Sequence, residues 1–195
     1  MALIWFENGQ KKGVPWSEQV GLVKKSEVAN PYQKQLQAVR SSEEEKVTLA
    51  RQLMRGPVRT LNPTASLREA QEFLKIYRIR HIPIVNTGLN TLEGIVSDRD
   101  ILRQLAAGED SFFDWIGRAT NRGSTMVMEF MTKKVLVAPP EEKIVNIARA
   151  MFIEKLGCMP IVESKEEGTE NLVGIITRSD VLRLIMRTAP VDFWL

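Results

Sequence analysis

The chain of 195 residues is long enough for one sizeable core or two small cores packed together, and its 44% hydrophobic and 26% charged residues are those of an ordinary soluble globular protein. Lys and Arg number 27 against 24 acids, with no block of consecutive cations, so the charge fits a solvated mixed surface and does not point to nucleic acid. A single cysteine, Cys158, excludes an intrachain disulfide framework, a single histidine, His81, leaves no material for His-rich zinc or haem chemistry, and the apolar run Ala2 to Phe6 is too short to span a bilayer or serve as a signal core, which together lead us to expect a cytoplasmic protein.

Residues 1–30 have no clear period, because Gly9, Gly13, Pro15 and Gly21 interrupt them, yet Trp5, Phe6 and Trp16 are too much apolar surface for a loose tail and are expected to dock on the core or a partner. Asn30-Pro31 opens a helical pattern with Tyr32, Leu36 and Val39, and Ser42 with Glu45 forms a capping-box signature before Val47, Ala50, Leu53 and Met54. Pro57 to Leu61 reads as a short strand, Ser66 as the cap of an amphipathic helix through Leu67, Ala70, Phe73, Leu74 and Tyr77, and His81 to Val85 as a strand that Pro83 confines to an edge or end. A turn, a strand Leu92 to Val96 and a helix from Asp98 complete the unit. The two adjacent strands should form an antiparallel hairpin, and the first should join the sheet through a helical crossover. Gly108 to Thr125 looks like a short aromatic helix and a flexible turn, and the apolar tail after Pro190 is expected to pack on its own fold or a dimer mate.

The unit occurs twice. Gly94-Ile95-Val96-Ser97-Asp98-Arg99-Asp100-Ile101-Leu102-Arg103 returns as Gly174-Ile175-Ile176-Thr177-Arg178-Ser179-Asp180-Val181-Leu182-Arg183. Met54/Met131, Val58/Val135, Pro83/Pro160 and Val85/Val162 are each 77 residues apart, and from Gly94/Gly174 onward the offset is 80, so the second copy carries a longer loop. The chain therefore divides into an extension with helix (1–53), a first repeat (54–107), a connector (108–127), a second repeat (128–188) and a tail (189–195). A hydroxyl followed three positions later by Asp, as in Ser97/Asp100 and Thr177/Asp180, is by itself a helix-start signal.

Doubled strand-helix-strand-strand-helix units with these motifs resemble the cystathionine-β-synthase (CBS) domain pair, or Bateman module, over roughly three fifths of the chain. The resemblance implies an α+β fold of two CBS-type repeats packed with pseudo-two-fold symmetry, with an N-terminal extension, and clefts between the repeats for AMP, ADP, ATP or S-adenosylmethionine. It further implies a regulatory or sensory protein with no obligatory cofactor, the adenosine compound being its regulatory ligand. By position in the motif, Asp100 and Asp180 become ribose acceptors, Ser97 and Thr177 their hydroxyl partners near phosphate, Arg80 and His81 anion contacts, and Thr60 an adenosine contact whose counterpart is Val137. Arg178 adds charge for phosphate and tips the preference towards the Asp180 cleft, with Val58, Met159, Ile161 and Ile176 as base contacts or simply core residues. A homodimer and an unidentified effector protein are the expected partners, with no membrane role.

Two rival readings remain beside this one. An enzyme finds no Gly-rich phosphate loop, nucleophile elbow or metal-ligand cluster, and Cys158 has only His81 to activate it. A ligand-free structural dimerisation module with packed clefts is the stronger alternative.

Overall fold

The computed structural model describes residues 3–7, 10–13, 15–16, 48–88, 91–106, 125–164 and 170–188. The expected helices between residues 31 and 47, the aromatic connector around 112–123 and the tail after Pro190 lie outside these residues. An N-terminal hairpin comes first, β1 (Ile4–Glu7) and β2 (Gln10–Lys12), followed by a short helix α1 (Ala50–Leu53). The first repeat contributes α2 (Leu67–Tyr77), β3 (His81–Asn86), β4 (Thr91–Ser97) and α3 (Asp98–Ala106). The second follows with α4 (Val127–Phe130), β5 (Lys134–Val137), α5 (Ile144–Ile153), β6 (Cys158–Ser164), β7 (Glu170–Thr177) and α6 (Arg178–Thr188). Among the described residues no helix is long and apolar enough to cross a membrane.

Local chemistry accounts for these elements. Ser66 accepts a hydrogen bond from the Glu69 amide while Glu69 reaches back to the Ser66 amide, a reciprocal cap that starts α2, and Arg78 in the left-handed region ends it. β3 and β4 pair antiparallel from His81↔Ser97 to Asn86↔Thr91, and β6 and β7 pair in the corresponding register from Cys158↔Thr177 to Ser164↔Glu170. Both hairpins are interrupted at corresponding places, between Ile84 and Val85 and between Ile161 and Val162. Pro83 can donate no ladder bond, and β3 has only one neighbour in its two-stranded sheet.

The strand expected at Pro57 to Leu61 reduces to one parallel bridge, Leu61 to Ile84. Its counterpart β5 is a full strand because β1 pairs with it antiparallel, from Ile4↔Val137 to Glu7↔Lys134. Nothing equivalent flanks residues 57–61 among the described residues, and Pro57 supplies no donor. The crossover geometry is as expected, since Leu61–Ile84 and Ala138–Ile161 are both parallel bridges.

The apolar runs bury into three clusters. Ile82, Ile84, Val96 and Ile101 with α2 residues form the core of the first repeat, and Leu136, Ile147, Met151, Met159, Ile161 and Ile176 that of the second. Between the repeats, Val85 and Leu92 meet Val135, Val137 and Val162, with Phe6 of β1 inserted among them. The N-terminal aromatics thus dock on the core: Trp16 is buried in the second repeat and donates from Nε1 to Glu154 Oε1 at 2.8 Å.

The short helices are exchanged. Helix α1 precedes the first repeat but packs on the second, where Ala50 joins Ile144 and Ile147, its amide donates to Glu142 O, and the Ile144 amide donates to Thr48 O. Helix α4 opens the second repeat but packs on the first through Val127 and Met131, with the Val127 amide donating to Ala65 O. Each exchange needs a glycine opposite it. A Cβ on Gly94 would stand 2.7 Å from Met131 Sδ and 2.8 Å from Thr132 O, and one on Gly174 would stand 2.5 Å from Met54 Sδ. The matched Met and Gly pairs of the repeat therefore interlock crosswise.

Candidate functional site

Where the repeats face each other they leave a cavity of about 1060 Å³, at the upper end of the ~300–1,000 Å³ typical of small-molecule sites. Its walls come from both repeats: the 57–59 segment, the start of β3, the β4–α3 junction, β5, the start of β6 and the β7–α6 junction. Ten Arg and Lys side chains line it against two carboxylates, Asp98 and Asp100. Arg59, Arg78 and Lys134 are among the cations that motif reasoning did not single out, because they come from separate segments that only the fold brings together.

The β4–α3 junction shows why this motif makes a site. β4 ends at Ser97, whose amide and hydroxyl donate to Asp100 Oδ2 at 2.9 and 2.6 Å while the Asp100 amide donates back to Ser97 Oγ at 3.3 Å. This is a helix cap, and it also fixes the carboxylate: with Oδ2 occupied, Oδ1 meets, among the described residues, Arg103 Nη1 at 3.4 Å. The oxygen used for capping and the oxygen left towards Arg103 are thus separate acceptors of one side chain. Thr177 and Asp180 repeat the geometry, with Oδ2 taking the Thr177 amide at 3.0 Å and its hydroxyl at 2.5 Å. Here Oδ1 is covered, by Arg55 Nη2 at 2.5 Å and Arg183 Nη1 at 3.4 Å. The Asp180 side chain is 3% exposed against 16% for Asp100, and Asp180 borders a separate hollow of about 220 Å³ instead of the main cavity. Burial alone would raise the Asp180 carboxyl, but the Thr177 hydrogen bonds and the Arg55 guanidinium outweigh it and hold it below the usual range.

Arg80, His81, Ser97, Asp100, Thr177, Arg178 and Val58 line the main cavity; Thr60 does not. Met159, Ile161 and Ile176 are fully buried in the second core, so of the two roles considered for them they occupy the packing one. In the Asp180 half, which the motif favoured, the acid is paired with Arg55, whereas Asp100 lines the main cavity. The signal was present in the sequence, since the residue at the position of Arg55 in the second copy is Thr132.

His81 packs against the other repeat at Gly157, where a Cβ would lie 2.6 Å from His81 Cε1 and closer still to Nε2. Gly157 has no side chain to offer an anion, and it makes room for the one imidazole. Burial lowers the His81 pKa from its ordinary value; Arg178 and Arg80 push the same way, while Asp98 and Asp100 oppose. Burial also pushes the Cys158 thiol up to about 12, leaving it protonated and a poor nucleophile at neutral pH. Arg178 is tied by Nε to Leu156 O at 2.5 Å, and the Arg59 guanidinium lies 3.8 Å from the centre of the Tyr77 ring. No cluster of three or more His, Cys, Asp or Glu suited to a metal ion occurs among the described residues.

Comparison with known proteins agrees with this architecture. The CBS domain model matches twice, over residues 50–107 and 127–187, spans that begin with or take in the exchanged helices. CBS domain-containing protein YhcV of Bacillus subtilis is 30% identical over 129 residues, 66% of this chain and 79% of its own length. Protein MJ1225 of Methanocaldococcus jannaschii is 30% identical over 135 residues, but there the match is 69% of this chain and only 42% of the relative. Among solved structures, the CBS domain pair of protein MJ0100, determined in complex with 5′-methylthioadenosine and S-adenosyl-L-methionine, superposes with a TM-score of 0.58 at 26% identity, covering 72% of this chain and 98% of that one. With two matched copies, two equivalent hairpins and a shared cleft, the chain belongs to the CBS domain family and carries that domain as a tandem pair.

Proposed function

We propose that this chain is a regulatory module that senses an adenosine-containing ligand, with the ribose diol on Asp100 and the phosphates towards the surrounding cations. The observation that carries this reading is Oδ1 of Asp100, approached by Arg103 at 3.4 Å but lacking the close arginine that Asp180 has, in a cleft lined by ten cationic side chains. A carboxylate oxygen suits a vicinal diol, and Arg80 and His81 from the first repeat and Arg178 from the second line the same cavity and can meet an anion there. The adenosine compounds held by the CBS pair of MJ0100 support the ligand class. The charge of this cleft ranks AMP, ADP and ATP above S-adenosylmethionine, whose sulfonium is repelled there. Thr60, Thr177, Ser97 and the apolar Val58 complete the proposed contacts, Thr60 only through rearrangement of the 57–61 segment.

Ligand uptake would shift the angle between repeats or between two modules, by as much as its affinity differs between the two states, and an effector protein would read the change. We place this activity in the cytoplasm, where nucleotides are abundant and a free Cys158 stays reduced. Titration calorimetry with AMP, ATP and S-adenosylmethionine tests the reading. Asp100→Asn removes charge-assisted hydrogen bonds of about 1.5–3 kcal/mol, so roughly 10- to 150-fold weaker binding is expected, and unchanged affinity refutes the ribose role.

A dimerisation module is the second reading, favoured by exposed apolar side chains at repeat-equivalent positions on the outer helices: Leu102 with Leu182, and Ile76 with Ile153. A homodimer is compatible with both readings. Sedimentation of Leu102→Glu/Leu182→Glu, which should be monomeric if these faces pair, tests it.

A further inference from the structure

Two carboxylates placed by the same motif differ in one partner. At Asp100 and Asp180 alike, Oδ2 is taken by the hydroxyl residue three positions earlier, and Oδ1 has an arginine one helical turn later at 3.4 Å, Arg103 and Arg183 respectively. The backbone opposite is also the same. The amides of Arg55 and Ile175 donate to each other's carbonyls at 3.0 and 3.1 Å, as those of Thr132 and Ile95 do at 2.9 and 3.0 Å. Only the side chain on that frame differs: Thr132 does not reach Asp100, whereas Arg55 places Nη2 at 2.5 Å from Asp180 Oδ1.

We propose that Arg55 is a built-in occupant of the second sugar site, filling the place a ribose diol would take on Asp180, so that the module binds one nucleotide per chain and not two. This rests on the adenosine-ligand reading above. Oδ1 of Asp180 corresponds to Oδ1 of Asp100, which keeps only the longer arginine contact of the pair, and Arg55 supplies the Asp180 oxygen with a second, close charge-assisted donor from the same molecule. A ligand entering there has to displace that ion pair, a cost absent at Asp100. Arg55 is itself 59% exposed, so its replacement removes the plug without opening a cavity in the core.

The test is calorimetric stoichiometry with ATP on the full chain. Wild type should bind one equivalent. Arg55→Thr, which installs the residue found at the matching position, should bind two, and Arg55→Thr/Asp100→Asn should return to one. Arg55→Lys, which keeps a cation in place, should remain at one. Two equivalents in wild type, or one in Arg55→Thr, overturns the plug while leaving the ligand reading intact. No binding by wild type or by Arg55→Thr refutes the ligand reading and the plug with it. The wild-type stoichiometry decides even if a variant folds poorly.

Discussion

Gly157→Ala tests the packing that presents His81 to the cleft. A Cβ at position 157 would stand 2.6 Å from His81 Cε1, while ordinary contact begins near 3.4 Å, so the ring must retreat by at least 0.8 Å, the difference between the two. His81 lines the cavity, so a displaced ring should swing into that space and towards water. Inserting a methyl against a packed ring typically costs about 1–3 kcal/mol. At roughly 2–4 °C per kcal/mol for a chain of this size, the midpoint of thermal unfolding should fall by about 2–12 °C. The titration should also change. Burial is the main cause of the lowered His81 pKa, so exposure should move it up towards 6.5. In wild type the unfolded chain takes up this proton at higher pH than the folded one, so His81 contributes stability that is complete above pH 6.5 and is lost as pH falls from there through the folded pKa. Gly157→Ala should flatten that dependence. Because His81 is the one histidine in the sequence, its imidazole Cε1 proton resonance gives an unambiguous titration curve. A variant with wild-type melting and an unmoved His81 titration refutes the contact.

Gly174→Ala should also destabilise by about 1–3 kcal/mol, because the new methyl meets Met54 at Sδ, Cβ and Cγ, and the Cβ at 2.9 Å cannot swing away as a side-chain tip can; denaturant unfolding with no shift in midpoint refutes the interlock. Trp16→Ala removes a buried indole and strands Glu154, a change that typically costs about 3–5 kcal/mol; hydrogen exchange should show the β1 amides losing protection before those of β6, and uniform protection refutes local release of the hairpin.

Much of the fold was legible because duplication prints each signal twice. The matched pairs Pro83/Pro160 and Gly94/Gly174 marked both hairpins, their offsets of 77 and 80 placing the three extra residues in the loop between, and Ser66, Ser97 and Thr177 declared the helix starts. What the sequence concealed was non-local. Nothing in Ile4 to Glu7 says that it pairs with Lys134 to Val137, whereas the β1–β2 hairpin was legible in the dipeptide Asn8-Gly9, a two-residue turn signal that a reading by period alone sees only as an interruption. Likewise a stripe of Ala50, Leu53 and Met54 declares an apolar face but not which repeat covers it. The candidate acids were legible as a motif, while their accessibility was not: that depends on Arg55, whose reach to Asp180 is set by the pairing of Arg55 with Ile175 in the other repeat.

The crosswise placement of α1 and α4 bears on how such a module can transmit a signal. The chain that leads into residue 50 is held on the far half, by β1 on β5 and Trp16 in the second core and then by the backbone bonds of Ala50 to Glu142 and of Ile144 to Thr48. A tug or a twist arriving from the N-terminal side is therefore delivered to the second half first, and reaches the first half across the cleft in which a ligand would sit. Neither half cut free would keep its own lid, so the pair should be inherited, unfolded and regulated as a single mechanical piece.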